Sequence, residues 1–81
     1  PWLTTADLVP SMGLARISFL EIRPGDIGME ALPGASDNHI GYFVGFDADG
    51  RAKWVHCSSG SGGVAVNNAT CFRYYYRLFD N

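Results

Sequence analysis

The chain has no run of Lys or Arg long enough to follow a phosphate backbone, and its eight acidic residues outnumber its six basic ones. Nucleic acid is therefore not an expected partner. Its longest apolar runs span four or five residues, far short of the roughly 20 that cross a bilayer, so no membrane partner is expected either. Two cysteines, Cys57 and Cys71, are too few for a disulfide framework, and their spacing fits neither a zinc knuckle nor a C-x-x-C redox pair. Each reads as a small buried hydrophobe. There is no internal repeat and no linker. Pro1 in place of methionine suggests a processed piece of a longer polypeptide, with any export signal encoded upstream.

The composition is nevertheless that of a folding chain: 47% hydrophobic and 17% charged residues exclude a disordered segment. With 81 residues there is room for one domain with a thin core. Thr4 to Val9 has a plausible cap and helix formers, but Pro10 and Gly13 limit it to a short helix or an irregular arm. Leu14 to Ile22 shows no clean period. Arg23-Pro24-Gly25-Asp26 is a turn leading into a strand near Asp26 to Glu30. Strands follow at His39 to Phe46, Ala52 to Cys57, Gly63 to Asn67 and Cys71 to Phe79. The fold class this predicts is α+β: a small antiparallel sheet of about five strands with a short N-terminal helix or arm.

The chain's two histidines lie in adjacent predicted strands joined by Asp47-Ala48-Asp49-Gly50. If that loop is four residues long, Phe46 faces Arg51 and His39 faces Ser58. His56 then lies diagonally across from His39 on the same face, and the two imidazoles converge. A register shift of one residue would send them to opposite faces. The same counting puts Gly41, Phe43, Gly45 and Trp54 on the histidine face, and Ile40, Tyr42, Val44, Phe46, Val55 and Cys57 on the other. The two glycines predict that another group lies over positions 41 and 45.

Each histidine alone reads as an ordinary surface residue, but a convergent pair suits a general base and its orienting partner. For zinc the pair is short of ligands, with only Asp37 and Asn38 nearby, and no cofactor is expected. Neither cysteine stands at a helix start beside a base, as a nucleophile should. Asp47 to Gly50 lacks the later acidic ligand of a calcium loop, and Asn68-Ala69-Thr70 is a glycosylation triplet common by chance. The Ser/Gly stretch from Ser58 lacks the lysine of a phosphate loop.

The ordered series RPGDIG, NHIGYFVG, WVHCSS and GGVAV resembles the C-terminal half of the NlpC-type cell-wall cysteine peptidase family, over roughly Leu20 to Leu78. The resemblance implies the β half of a papain-like domain, with His39 as general base and His56 as its orienting residue. It also implies a bacterial, extracellular or wall-associated setting and peptidoglycan stem peptides as substrate, cut at a γ-D-glutamyl to diamino acid amide. The family's nucleophilic cysteine, carried on a helix upstream of the Pro-Gly-Asp turn, has no counterpart between Pro1 and Arg23. The expectation is a C-terminal portion of one domain, inactive alone, that associates with its missing N-terminal half or with a second copy. The alternative is a non-catalytic wall-binding module using Trp54, Tyr42 and Tyr74-Tyr75-Tyr76 as stacking surfaces.

Overall fold

A computed structural model describes residues 8–9, 13–58 and 62–78. They form a seven-stranded antiparallel sheet, and this overturns the α+β expectation. The strands are β1 (Leu8–Val9), β2 (Leu14–Ile17), β3 (Ile27–Met29), β4 (Ile40–Phe46), β5 (Ala52–Ser58), β6 (Gly63–Asn67) and β7 (Tyr74–Leu78). Their spatial order is β1-β2-β7-β3-β4-β5-β6. Among the described residues the helical content is one 3₁₀ turn, Phe19–Glu21, capped by the Ser18 side chain on the Leu20 N–H. The helix or arm expected over Thr4 to Val9 is a strand at its last two residues, and the remainder lies outside the described residues. The last strand inserts between β2 and β3 and brings aromatic rings to both faces.

Those rings are the tyrosine run. Tyr74 and Tyr76 stand opposite Met29 and Ile27, whereas Tyr75 stands opposite Gly28 and so points the other way. Two small cores result. Leu14, Ile27, Met29 and Tyr76 make one, with Tyr74 packed against it. On the histidine face Phe43, Trp54 and Phe72 make the other, bordered by Ile22, Ala52, Ala69, Cys71 and Tyr75. The face away from the histidines, beyond the first core, leaves Ile40, Tyr42, Val64 and Val66 exposed.

The β4–β5 hairpin reaches the expected pairing by an unexpected route. Phe46 pairs with Ala52, so the loop has one residue more than predicted. A bulge between Phe43 and Gly45 then removes that extra step, and Phe43 pairs with Trp54, Tyr42 with Val55 and Gly41 with His56. Beyond the bulge, toward the tip, the faces exchange. Phe46 turns to the histidine side, its ring 5.0 Å from Phe43, and Gly45 turns away. Asp47 secures the tip, its Oδ1 accepting the N–H groups of Asp49 and Arg51.

The Pro-Gly-Asp turn is built as its residues dictate. Gly25 has φ +97°, and the Asp26 N–H donates to the Arg23 carbonyl at 3.0 Å. Asp26 itself is buried. Its carboxylate accepts from Arg77 Nε at 2.9 Å and Nη2 at 2.7 Å and from the Arg23 N–H at 2.8 Å. Burial pushes its pKa upward, but the Arg77 and Arg23 hydrogen bonds and charges outweigh that and hold it below the ordinary aspartate value. A lowered folded-state pKa contributes stability that is present above the unfolded value and is lost as pH falls through the folded one. Asp26→Asn is therefore expected to cost about 2–4 kcal/mol at neutral pH, toward the lower figure because Arg77 is 34% exposed, and to flatten the acid limb of the stability curve. Urea melts between pH 7 and pH 2 test this, and an unchanged acid limb would show that this carboxylate does not carry the effect.

Candidate functional site

Residue 39 is fixed by the loop before it. The Asn38 side chain accepts from the Ala31 N–H and donates to the carbonyls of Ala31 and Leu32, and the Glu30 N–H donates to the His39 carbonyl at 2.9 Å. Asn38, considered as a metal ligand from the sequence, is committed to this loop. His39 then enters β4 two residues before Gly41, which is the partner of His56. The rings meet: His39 Nε2 lies 2.8 Å from His56 Nδ1, with ring centroids 4.9 Å apart and near perpendicular. The convergence expected from strand alternation is the geometry found.

A third member was not singled out in the sequence. Asn67, at the end of β6, pairs with Trp54 and so lies diagonally across from His56 on the same face. Its Oδ1 is 2.8 Å from His56 Nε2. His39, His56 and Asn67 thus form a hydrogen-bonded diagonal row across three neighbouring strands. In the sequence Asn67-Asn68-Ala69 reads as turn chemistry, which concealed it. The usable signal was that Asn67 and Ala65 alternate onto the face of His56.

Phe72 is the second residue the sequence did not reveal. Expected in a strand, it lies just before β7, where its carbonyl accepts the Tyr75 hydroxyl at 2.7 Å. Its ring stacks on His39 at 5.5 Å and 17° and meets His56 edge-on at 5.7 Å. Room for it comes from glycine: a Cβ on Gly41 would stand 2.6 Å from Phe72 Cζ and 3.2 Å from His56 Cβ. The prediction that something lies over Gly41 is met by this ring, whereas nothing lies within 4 Å of a Cβ at Gly45. The histidine face is therefore not bare. Phe43 and Trp54 are 1% and 2% exposed, and the more open face is the one that carries Ile40 and Tyr42. Gly41→Ala should push Phe72 off His39 and cost about 1–3 kcal/mol, read as a melting temperature lower by about 4–8 °C for each kcal/mol. A variant that melts with the wild type would show that the ring is not packed there.

The cysteines correct the sequence reading in part. Cys57 is exposed rather than buried, and by register it sits on the face opposite His56. Cys71 is half-buried, and burial, aided by the charge of Glu30, pushes its thiol pKa up, which disfavours the thiolate. Neither makes a hydrogen bond to an imidazole among the described residues. An open depression of about 470 Å³ beside His39 is lined by Cys57, Ser58, Gly62 and Gly63. Of the aromatics considered for sugar stacking, Trp54 and Tyr76 are 2% exposed and closed to any ligand, while Tyr42 is half exposed.

Chemically, the row can hold one imidazole in a fixed orientation while that imidazole takes up or releases a proton. No group of three or more potential metal ligands occurs among the described residues. No protein-family model matches the chain, and neither does any curated protein or solved structure.

Proposed function

We propose that this chain supplies the base half of a cell-wall amide hydrolase: His39 is the general base and His56 the residue that orients it, for a cysteine nucleophile carried outside these 81 residues. The observation that carries the reading is the 2.8 Å contact between His39 Nε2 and His56 Nδ1, held by Phe72 on one side and Asn67 on the other. The motif series that contains both histidines adds the substrate class, peptidoglycan stem peptides, with the γ-D-glutamyl to diamino acid amide as the bond cut.

In this mechanism His39 removes the thiol proton as the sulfur attacks the amide carbon, then returns it to the departing amine, and water repeats the sequence to release the acyl group. His56 keeps the His39 ring from rotating and carries no proton away. The two cysteines of the chain do not serve, one lying on the opposite face and the other half-buried with its thiolate disfavoured.

The test is hydrolysis of purified murein, followed by chromatography of released stem peptides. The 81 residues alone should release none, and the polypeptide extended by the residues encoded upstream should release them. Hydrolysis by the 81 residues alone would overturn the external nucleophile, and inactivity of the extended polypeptide would overturn the peptidase reading.

A further inference from the structure

We propose that Asn67 is a positioning residue that decides which nitrogen of His39 is basic, acting through His56. The inference rests on the reading of His39 as the base. A side-chain amide oxygen carries no proton and only accepts, so the nitrogen 2.8 Å from Asn67 Oδ1 must be an N–H, namely His56 Nε2. A neutral imidazole has one N–H, so His56 Nδ1 holds a lone pair. That lone pair accepts from the nitrogen 2.8 Å away, which makes His39 Nε2 a donor. What remains is His39 Nδ1, the one ring nitrogen of the row with a lone pair and no partner among the described residues. It is the atom that takes the proton.

The alternative arrangement shows how much depends on the amide. With Asn67 Nδ2 turned toward His56, every role in the row reverses: His56 Nε2 accepts, His56 Nδ1 donates, His39 Nε2 accepts, and His39 Nδ1 is protonated and cannot act as a base. The neutrality of Asn67 matters as well. A carboxylate in its place would accept the same hydrogen bond but would also favour a second proton on His56. A doubly protonated His56 donates its Nδ1–H to His39 Nε2, which must then accept, so His39 takes the Nδ1–H form and its Nδ1 is no longer basic. An amide fixes the orientation without adding charge.

The test is read on the imidazoles of the 81-residue chain by long-range ¹H–¹⁵N correlation at about pH 8.5, above the ordinary imidazole range. In the wild type both rings are expected in the Nε2–H form. In Asn67→Ala the hydrogen-bonded Nε2–H signal of His56 should be lost, and its two ring nitrogens should move toward averaged positions. In Asn67→Asp, whose carboxylate accepts the same hydrogen bond, the wild-type Nε2–H pattern should survive. Backbone amide spectra report whether each variant is folded, and if Asn67→Ala is not, the pattern in Asn67→Asp decides. An Nδ1–H on either ring of the wild type, ring nitrogens unmoved in Asn67→Ala, or loss of the Nε2–H signals in Asn67→Asp would each overturn the proposal. The outcome is independent of murein hydrolysis, so a correct pattern on a catalytically silent extended polypeptide would remove the peptidase reading and leave this one standing.

Discussion

Trp54→Ala is expected to remove a large part of the chain's stability. The side chain is 2% exposed and packs against Phe72 at 4.7 Å, Phe43 at 5.4 Å and Tyr75 at 6.0 Å. Truncating a buried tryptophan costs about 3–5 kcal/mol. A chain of this length has about 4–12 kcal/mol in all, and this one places its apolar residues in two small cores while leaving others exposed. The melting temperature should fall by about 4–8 °C for each kcal/mol lost, and equilibrium urea melts give the same quantity directly. A second measurement isolates the contact. A Cβ on Gly28 would stand 2.6 Å from Trp54 Cζ3 and 2.7 Å from Cη2, so Gly28→Ala alone should cost about 1–3 kcal/mol. In the Trp54→Ala background the indole is gone and only the 3.0 Å approach to Phe72 Cβ remains, so the cost should shrink. Additive costs would mean that the indole does not lie over Gly28.

The other large effect belongs to the chemistry. On the proposed reading of the chain as the base half of a hydrolase, His39→Ala in the polypeptide extended upstream should lower kcat by at least about 10²–10⁴-fold with KM little changed, because the proton transfer would be needed in the transition state and not to hold the substrate. His56→Ala should have a smaller effect of the same kind, since the base remains but is free to rotate. Steady-state kinetics on a synthetic stem peptide separate the two constants. Loss confined to KM, or a fall of less than about tenfold for His39→Ala, would remove His39 from the base role.

Much of the central sheet is readable from residue order, and the reasons are local. Gly63 to Asn67 alternates cleanly, and its strand has the expected limits. Arg23 to Asp26 contains the proline and glycine that a tight turn requires, and the turn forms there. The meeting of His39 and His56 follows from the two-residue period of a strand, although the loop was one residue longer than supposed and the bulge restored the count.

The unread parts depend on contacts distant in sequence. Leu14-Ala15-Arg16-Ile17 does not look like a strand because Arg16 interrupts the apolar residues. In the fold its guanidinium lies 4.9 Å from the centre of the Tyr74 ring and covers it. The role of Phe72 could not be read from β7, because it depends on two unoccupied Cβ positions, Gly28 and Gly41, on strands far back in the chain. The α+β expectation rested on the helix or arm read into Thr4 to Val9 and on the papain-like likeness, and what overturns both is a described chain that is almost entirely antiparallel sheet, with β7 in its middle completing both cores. Cys57 was assigned to a buried face that proves to be open to solvent.

The extra residue between Phe43 and Gly45 separates two parts of the hairpin that would otherwise be tied together. Loop length can drift over evolutionary time at the Asp47–Arg51 tip, provided the compensating irregularity absorbs the change before it reaches Gly41 and His56. Excising Val44 would leave Phe43 opposite Trp54 and Gly45 opposite Lys53 in one unbroken ladder, with Gly41 still opposite His56. The valine is a spare step in the strand, and its removal would straighten the hairpin without parting the two imidazoles.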